Sequence, residues 1–154
     1  WEYMYDIAVL AHGKGLKNIL VSAGYAEKEP LREILPYIDA ANIDIKAMDD
    51  SFYRKYCGAS LSPVLDNILT MKAARIHVEI TNLLVTGLND SEEQVSELCC
   101  WMAANSLQDV PLHFSRFFPR YKMTDAESTP RQTLTRARDI ALSFEIKSIY
   151  LGNI

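Results

Sequence analysis

The sequence predicts an α/β fold built as a partial TIM-type (β/α) barrel with parallel strands. Three observations point there. Helical and strand-type patterns alternate along the whole chain, the connections between them are short, and successive strands carry polar side chains on one face.

Met4, Ile7, Ala8 and Ala11 recur at helical spacing between Trp1 and His12, and Gly13 and Gly15 end that helix. Asn18 to Ser22 is an apolar run too short for a helix and bounded by Gly24, so it reads as a buried strand. Leu31 to Tyr37 forms a short helix after Pro30, Ala40 to Lys46 a strand, and Asp50 to Cys57 a further helical turn or two. Ser62 is placed to cap the next helix, with Pro63 at its first position and Val64, Leu65, Ile68 and Leu69 as its apolar stripe. Ile76 to Val85 is the longest strand. Ser91 and Gln94 make a capping box for a helix whose inner stripe is Val95, Leu98, Cys99 and Met102. Pro111 to Ser115 is the following strand. Thr129, Pro130 and Gln132 repeat the start signals before a helix carrying Leu134, Ala137, Ala141 and Phe144, and Lys147 to Leu151 closes the series. No repeat or linker intervenes, so residues 1–154 read as one unit.

Strands buried on both faces read as continuous Val, Ile and Leu. These do not. Ile43 and Ile45 share one face and Asn42, Asp44 and Lys46 the other; Ile76, Val78 and Ile80 oppose His77, Glu79 and Thr81; His113 and Ser115 continue the polar face. Leaving such groups unpaired in a dry core costs several kcal/mol each, so the polar face is expected to line a wet or ligand-filled concavity while the other packs on helices. A structural Asp44–Lys46 pairing is the plainer alternative, and a lone strand histidine such as His113 is more often a core residue than a ligand contact.

Sixteen Lys and Arg against twenty Asp and Glu give a net charge of −4 with no run of like charge, which argues against nucleic acid as a partner. No apolar run approaches the ~18 residues of a membrane helix, so no membrane partner is expected. Cys57, Cys99 and Cys100 form neither a disulfide framework nor a pair spaced for a metal, which suits a reducing, cytoplasmic setting.

In order along the chain stand LVSAGY (Leu20 to Tyr25), IDAANIDIK (Ile38 to Lys46), ITNLLVTGLND (Ile80 to Asp90) and PLHFSRFFPRYK (Pro111 to Lys122). Each is weak alone. Together they resemble the later strands of the radical S-adenosylmethionine barrel in the pyruvate formate-lyase-activating enzymes: a strand ending in a Thr-Asn-Gly turn, an Asp-Leu-Lys strand, a Val-Pro-Gly-x-Asn-Asp strand and loop, and a last barrel strand. PLHFSRFFPRYK and YLGN (Tyr150 to Asn153) are closest to the radical enzyme of the AmmeMemoRadiSam group.

The resemblance implies the carboxyl-terminal portion of the barrel, lacking the first two βα units. The cluster-binding CxxxCxxC and the Gly-Gly-Glu strand would precede Trp1. It implies S-adenosylmethionine and a [4Fe-4S] cluster as cofactors of the full-length protein, with no cluster ligands in this chain and an inactive fragment. It places Asp44 and Lys46 near the methionine and ribose, Ser22 at the adjacent strand end, His113 as a contact from the last strand, and the backbone of Leu83 to Val85 beside adenine. Thr81 joins them from the polar face, near the carboxyl end where barrel sites gather. Ala23 stands where the family usually has Asn, and Val21 where some members carry a carboxylate.

Arg116, Arg120 and Lys122, interleaved with Phe117, Phe118 and Tyr121, are placed either to hold an anionic or peptide substrate or to form a solvated loop. Two other readings stay open. Lys46 could be the Schiff-base lysine of an aldolase-type barrel, or the polar face could serve a non-catalytic binding or assembly module. The strand Asn18 to Ser22 would be an exposed edge, which predicts self-association into a homo-oligomer.

Overall fold

The computed structural model describes all 154 residues, Trp1–Ile154. Five strands, β1 (Ile19–Ser22), β2 (Ala40–Asp44), β3 (His77–Leu84), β4 (Leu112–Arg116) and β5 (Ile149–Gly152), form one parallel sheet in the order β1-β2-β3-β4-β5. Each connection steps one strand in the same direction. Right-handed crossovers that never reverse direction put every connecting helix on one face, whereas a doubly wound sheet reverses at a switch point and covers both. The strands obey this rule. Ala41, Ile43, Val78, Ile80, Asn82, Leu84, Leu112 and Phe114 are buried, and the residues alternating with them along β2 to β4 are not.

Beneath the buried face lie α2 (Lys28–Ile34), α4 (Leu61–Ala73), α5 (Glu92–Ala104) and α6 (Arg131–Ser143). Leu31 and Ile34, Val64, Ile68 and Met71, Leu98 and Met102, and Leu134, Ala137 and Ala141 from these helices join the strand residues in a core of 28 buried side chains. Two short elements, α3 (Asp50–Phe52) and a π turn at Tyr53–Cys57, carry the chain from β2 toward α4. The opening helix α1 (Glu2–Gly13) buries Ala8 alone; Ile7 of the expected stripe stays exposed, as does Leu10 beside it. No helix is long and apolar enough to cross a membrane.

Two helix starts differ from the sequence expectation and a third forms only half of its capping box, in each case where a longer-range contact engages the expected capping residue or its target. Helix α4 begins at Leu61 with Ser60, not Ser62, at the cap position, since the Asp50 carboxylate accepts the Leu61 amide at 2.9 Å. Ser91 does cap α5, accepting from Gln94 N at 3.3 Å, but the Gln94 side chain does not return the bond. Its Oε1 accepts from Met48 N at 3.0 Å and ties the loop after β2 to α5. Thr129 caps nothing in α6. It is fully buried, donates to the Leu84 carbonyl at 2.5 Å and accepts from Phe117 N at 3.3 Å, joining the carboxyl ends of β3 and β4.

Candidate functional site

Register places Asp44 beside Thr81, Thr81 beside His113, and His113 beside Tyr150. Parallel partners point to the same side of a sheet, so these four side chains make one row across the face that no helix covers. Lys46 joins the row at its β2 end, with Nζ 2.6 Å from Asp44 Oδ2. Both charges are half-exposed, as expected for an ion pair on a sheet face that no helix covers. Thr81 donates to Asn42 Oδ1 at 2.8 Å. Four of the five expected residues, Asp44, Lys46, Thr81 and His113, are thereby brought together.

Ser22 is not. Its register partner is Ile43, on the helix-covered face, and its hydroxyl accepts from Gly24 N at 3.1 Å. The side chain lines a largely apolar cavity of about 480 Å³ between β1 and α1, away from the polar row. The register between β1 and β2 decides this: a shift of one residue along a strand changes the face.

One layer toward the amino ends of the strands, Glu79 receives two histidines. His113 Nε2 lies 2.8 Å from Oε2 and His77 Nε2 3.2 Å from Oε1, so each ring donates to a separate carboxylate oxygen. Partial burial works to raise the Glu79 pKa, but the hydrogen bonds and charges of the two rings outweigh it and hold the carboxyl below its ordinary value. The His113 ring is also stacked on Tyr150, with centroids 4.9 Å apart and planes inclined by 20°. His113 is therefore fixed from two sides.

The strand ends are held by buried amides that sequence reasoning did not single out. Asn89 donates to the Lys46 carbonyl at 2.5 Å and the Leu83 carbonyl at 2.9 Å and accepts from Val85 N at 2.6 Å. Asn82 donates to the Ile45 carbonyl at 2.7 Å, and Asn67 donates to the carbonyls of Gly24 and Ala26 at 2.9 and 2.8 Å. Tyr53, whose phenol burial pushes up to about 12, accepts the Lys46 amide at 3.0 Å. The backbone that carries Lys46 is thus held on both its amide and carbonyl sides. Asn82 stands at a core-facing position among apolar neighbours, a signal that could have marked it.

The three cysteines are free thiols. Cys57 and Cys100 are exposed, Cys99 is buried with its thiol pushed up to about 12, and no three His, Cys, Asp or Glu side chains are grouped to hold a metal ion.

No family model matches the chain. It is 44% identical over all 154 residues to an uncharacterised protein of Methanocaldococcus jannaschii, covering 45% of that protein. It is 28% identical over 113 residues to a 4-hydroxyphenylacetate decarboxylase activating enzyme of Clostridium scatologenes, with 72% of this chain and 36% of that protein aligned. A pyruvate formate-lyase-activating enzyme of Clostridium pasteurianum is 29% identical over 97 residues, with 63% and 40% aligned. The chain spans less than half the length of these curated relatives. Among solved structures, a crystallised domain of a pyruvate formate-lyase-activating enzyme from Bacteroides vulgatus superposes with a TM-score of 0.82 over 99% of this chain and 91% of that one, at 20% identity. Streptococcus suis SuiB, in a structure bound to S-adenosylmethionine, gives 0.71 over 96% of this chain and 35% of that one, at 12% identity. By its sequence relatives the chain is a homologue of the radical S-adenosylmethionine activating enzymes, and its fold is that of a pyruvate formate-lyase-activating enzyme domain.

Proposed function

We propose that these 154 residues are the S-adenosylmethionine-binding side of a radical enzyme barrel, and that the Asp44–Thr81–His113 row with Lys46 is the binding surface. The observation that carries this reading is the register. It aligns three residues from three strands and leaves them, with a compensated Lys46, on the face without helices. S-adenosylmethionine offers an amino acid head with both charges, ribose hydroxyls and a sulfonium. Asp44 can accept from ribose or ammonium, Lys46 can meet the carboxylate, and Thr81 can exchange its Asn42 bond for one to the ligand.

A [4Fe-4S] cluster held in the full-length protein would supply one electron for the reductive cleavage of S-adenosylmethionine to methionine and a 5′-deoxyadenosyl radical, available for hydrogen abstraction as in glycyl-radical activation. The thiolates for that cluster come, on this reading, from outside these residues, and the isolated piece binds without turning over. Its own residues orient the ligand and keep its charges paired.

The test is calorimetric titration of the chain with S-adenosylmethionine. We expect saturable binding that Asp44→Ala weakens about tenfold, the value of one charge-assisted hydrogen bond. Absence of binding by the wild-type chain, or an unaffected Asp44→Ala variant, would sink the assignment of this row. Reduction by borohydride of a carbonyl adduct on Lys46 would instead move the chain to aldolase chemistry.

A further inference from the structure

Beyond the row, at the carboxyl end of β4, Leu83, Arg116, Phe117, Phe118, Arg120 and Asn153 line a cavity of about 530 Å³. It contains two guanidinium groups and no carboxylate. Arg54, Arg136 and Arg138 each have an acidic partner and Arg32, Arg75 and Arg131 stand unpaired, but only here do two unneutralised guanidinium groups line one cavity with aromatic rings. Arg116 is held without being neutralised. Its Nε donates to the Thr129 carbonyl at 2.5 Å and its Cζ lies 4.6 Å from the Phe118 ring centroid, so the side chain is positioned while its two terminal nitrogens have no acceptor in the chain. The Arg120 side chain has no hydrogen-bond or ion-pair partner either.

We infer that this cavity binds a carboxylate borne on an apolar or aromatic body. A planar guanidinium fork matches a carboxylate edge and gains more from it than from water when one wall is apolar. Leu83, Phe117 and Phe118 supply that wall, and Asn153, whose Nδ2 donates to the Arg116 carbonyl at 3.2 Å, closes the side next to β5. Leu83 lies two residues along β3 from Thr81, or about 7 Å at strand rise, so a molecule anchored here reaches the polar row. That the anchored molecule is the one attacked by the radical rests on the S-adenosylmethionine reading. That the cavity takes a carboxylate does not.

The chain is titrated with benzoate against benzamide, with acetyl-Phe-Glu-amide against acetyl-Phe-Gln-amide, and with inorganic phosphate, following chemical shifts of the Phe117 and Phe118 amides. We expect at least one carboxylate to bind about tenfold tighter than its amide. A preference for benzoate points to a small-molecule source, a preference for the peptide to an acidic side chain of a polypeptide. Arg120→Gln, which breaks no contact within the chain, and Arg116→Lys, which keeps the charge but loses the fork, should each abolish most of that difference while leaving S-adenosylmethionine binding unchanged. Equal binding of acid and amide, tighter binding of phosphate, or no effect of either substitution overturns the proposal. An equal loss of S-adenosylmethionine affinity also overturns it, by making the cavity the seat of that ligand's own carboxylate. If the carboxylate binds as expected but S-adenosylmethionine never does, the functional reading fails and the carboxylate site remains.

Discussion

Asn89 shows how one side chain sets the geometry of the site it does not enter. Almost wholly buried, it satisfies three backbone groups from the ends of β2 and β3, and the Lys46 carbonyl is one of them. Asn89→Ala leaves all three unpaired where water enters poorly, at ~1–3 kcal/mol for each buried group. We expect a loss on the order of 3 kcal/mol, read as a lower urea midpoint at unchanged slope. Gly24 is constrained in another way. Its φ is +70° and an added Cβ would sit 2.6 Å from Ile43 Cγ2, so the turn after β1 needs both the left-handed backbone and the missing side chain. The VTGLND and SAGY motifs disclosed that these residues stand in turns; that Asn89 reaches back to β2 was not legible, because the partner carbonyl lies 43 positions away in the chain.

At the scale of elements, β3 links the polar groups of its neighbours, since Glu79 and Thr81 on it face β2 and β4 at once. The lowered Glu79 pKa makes a pH-dependent contribution of definite sign. A carboxyl depressed in the folded state stabilises the protein above the ordinary value of 4.5, and that contribution is lost as pH falls through the lower folded value. With the group one-third exposed, the effect is expected to be modest. Chemical denaturation of wild type and Glu79→Gln between pH 3 and pH 7 (about the carboxylate range) should show the wild type more stable at pH 7 and the two converging in acid. A constant difference across that range would mean that the histidine pair does not act through Glu79 ionisation. Strand alternation identified Glu79 and His113 as sharing a face, yet only the stagger between β3 and β4 sets Glu79 within reach of both histidines rather than one.

For the molecule as a whole, β1 is an open edge. Ile19 and Val21 on it are 67% and 76% exposed, with Leu10 and Leu16 exposed nearby, so an apolar margin borders unpaired strand backbone. In a longer protein a further strand can occupy this edge; in the isolated chain we propose that a second copy does. Sedimentation across a hundredfold concentration range should show association that Val21→Lys suppresses, and a strict monomer at all concentrations would count against it. The amino-acid sequence alone determined the α/β class, the order of the elements and the two faces of each central strand, because hydrophobic periodicity and turn residues are local, and its ordered motifs carried the resemblance to the activating enzymes. The tertiary structure alone decided that Ser22 turns away from the polar row, that Glu79 clamps two rings, that Thr129 joins two strands instead of capping a helix, and that Arg116 and Arg120 share a cavity without an acid. Those facts depend on register between strands and on contacts between residues far apart in the chain, and no local pattern encodes either.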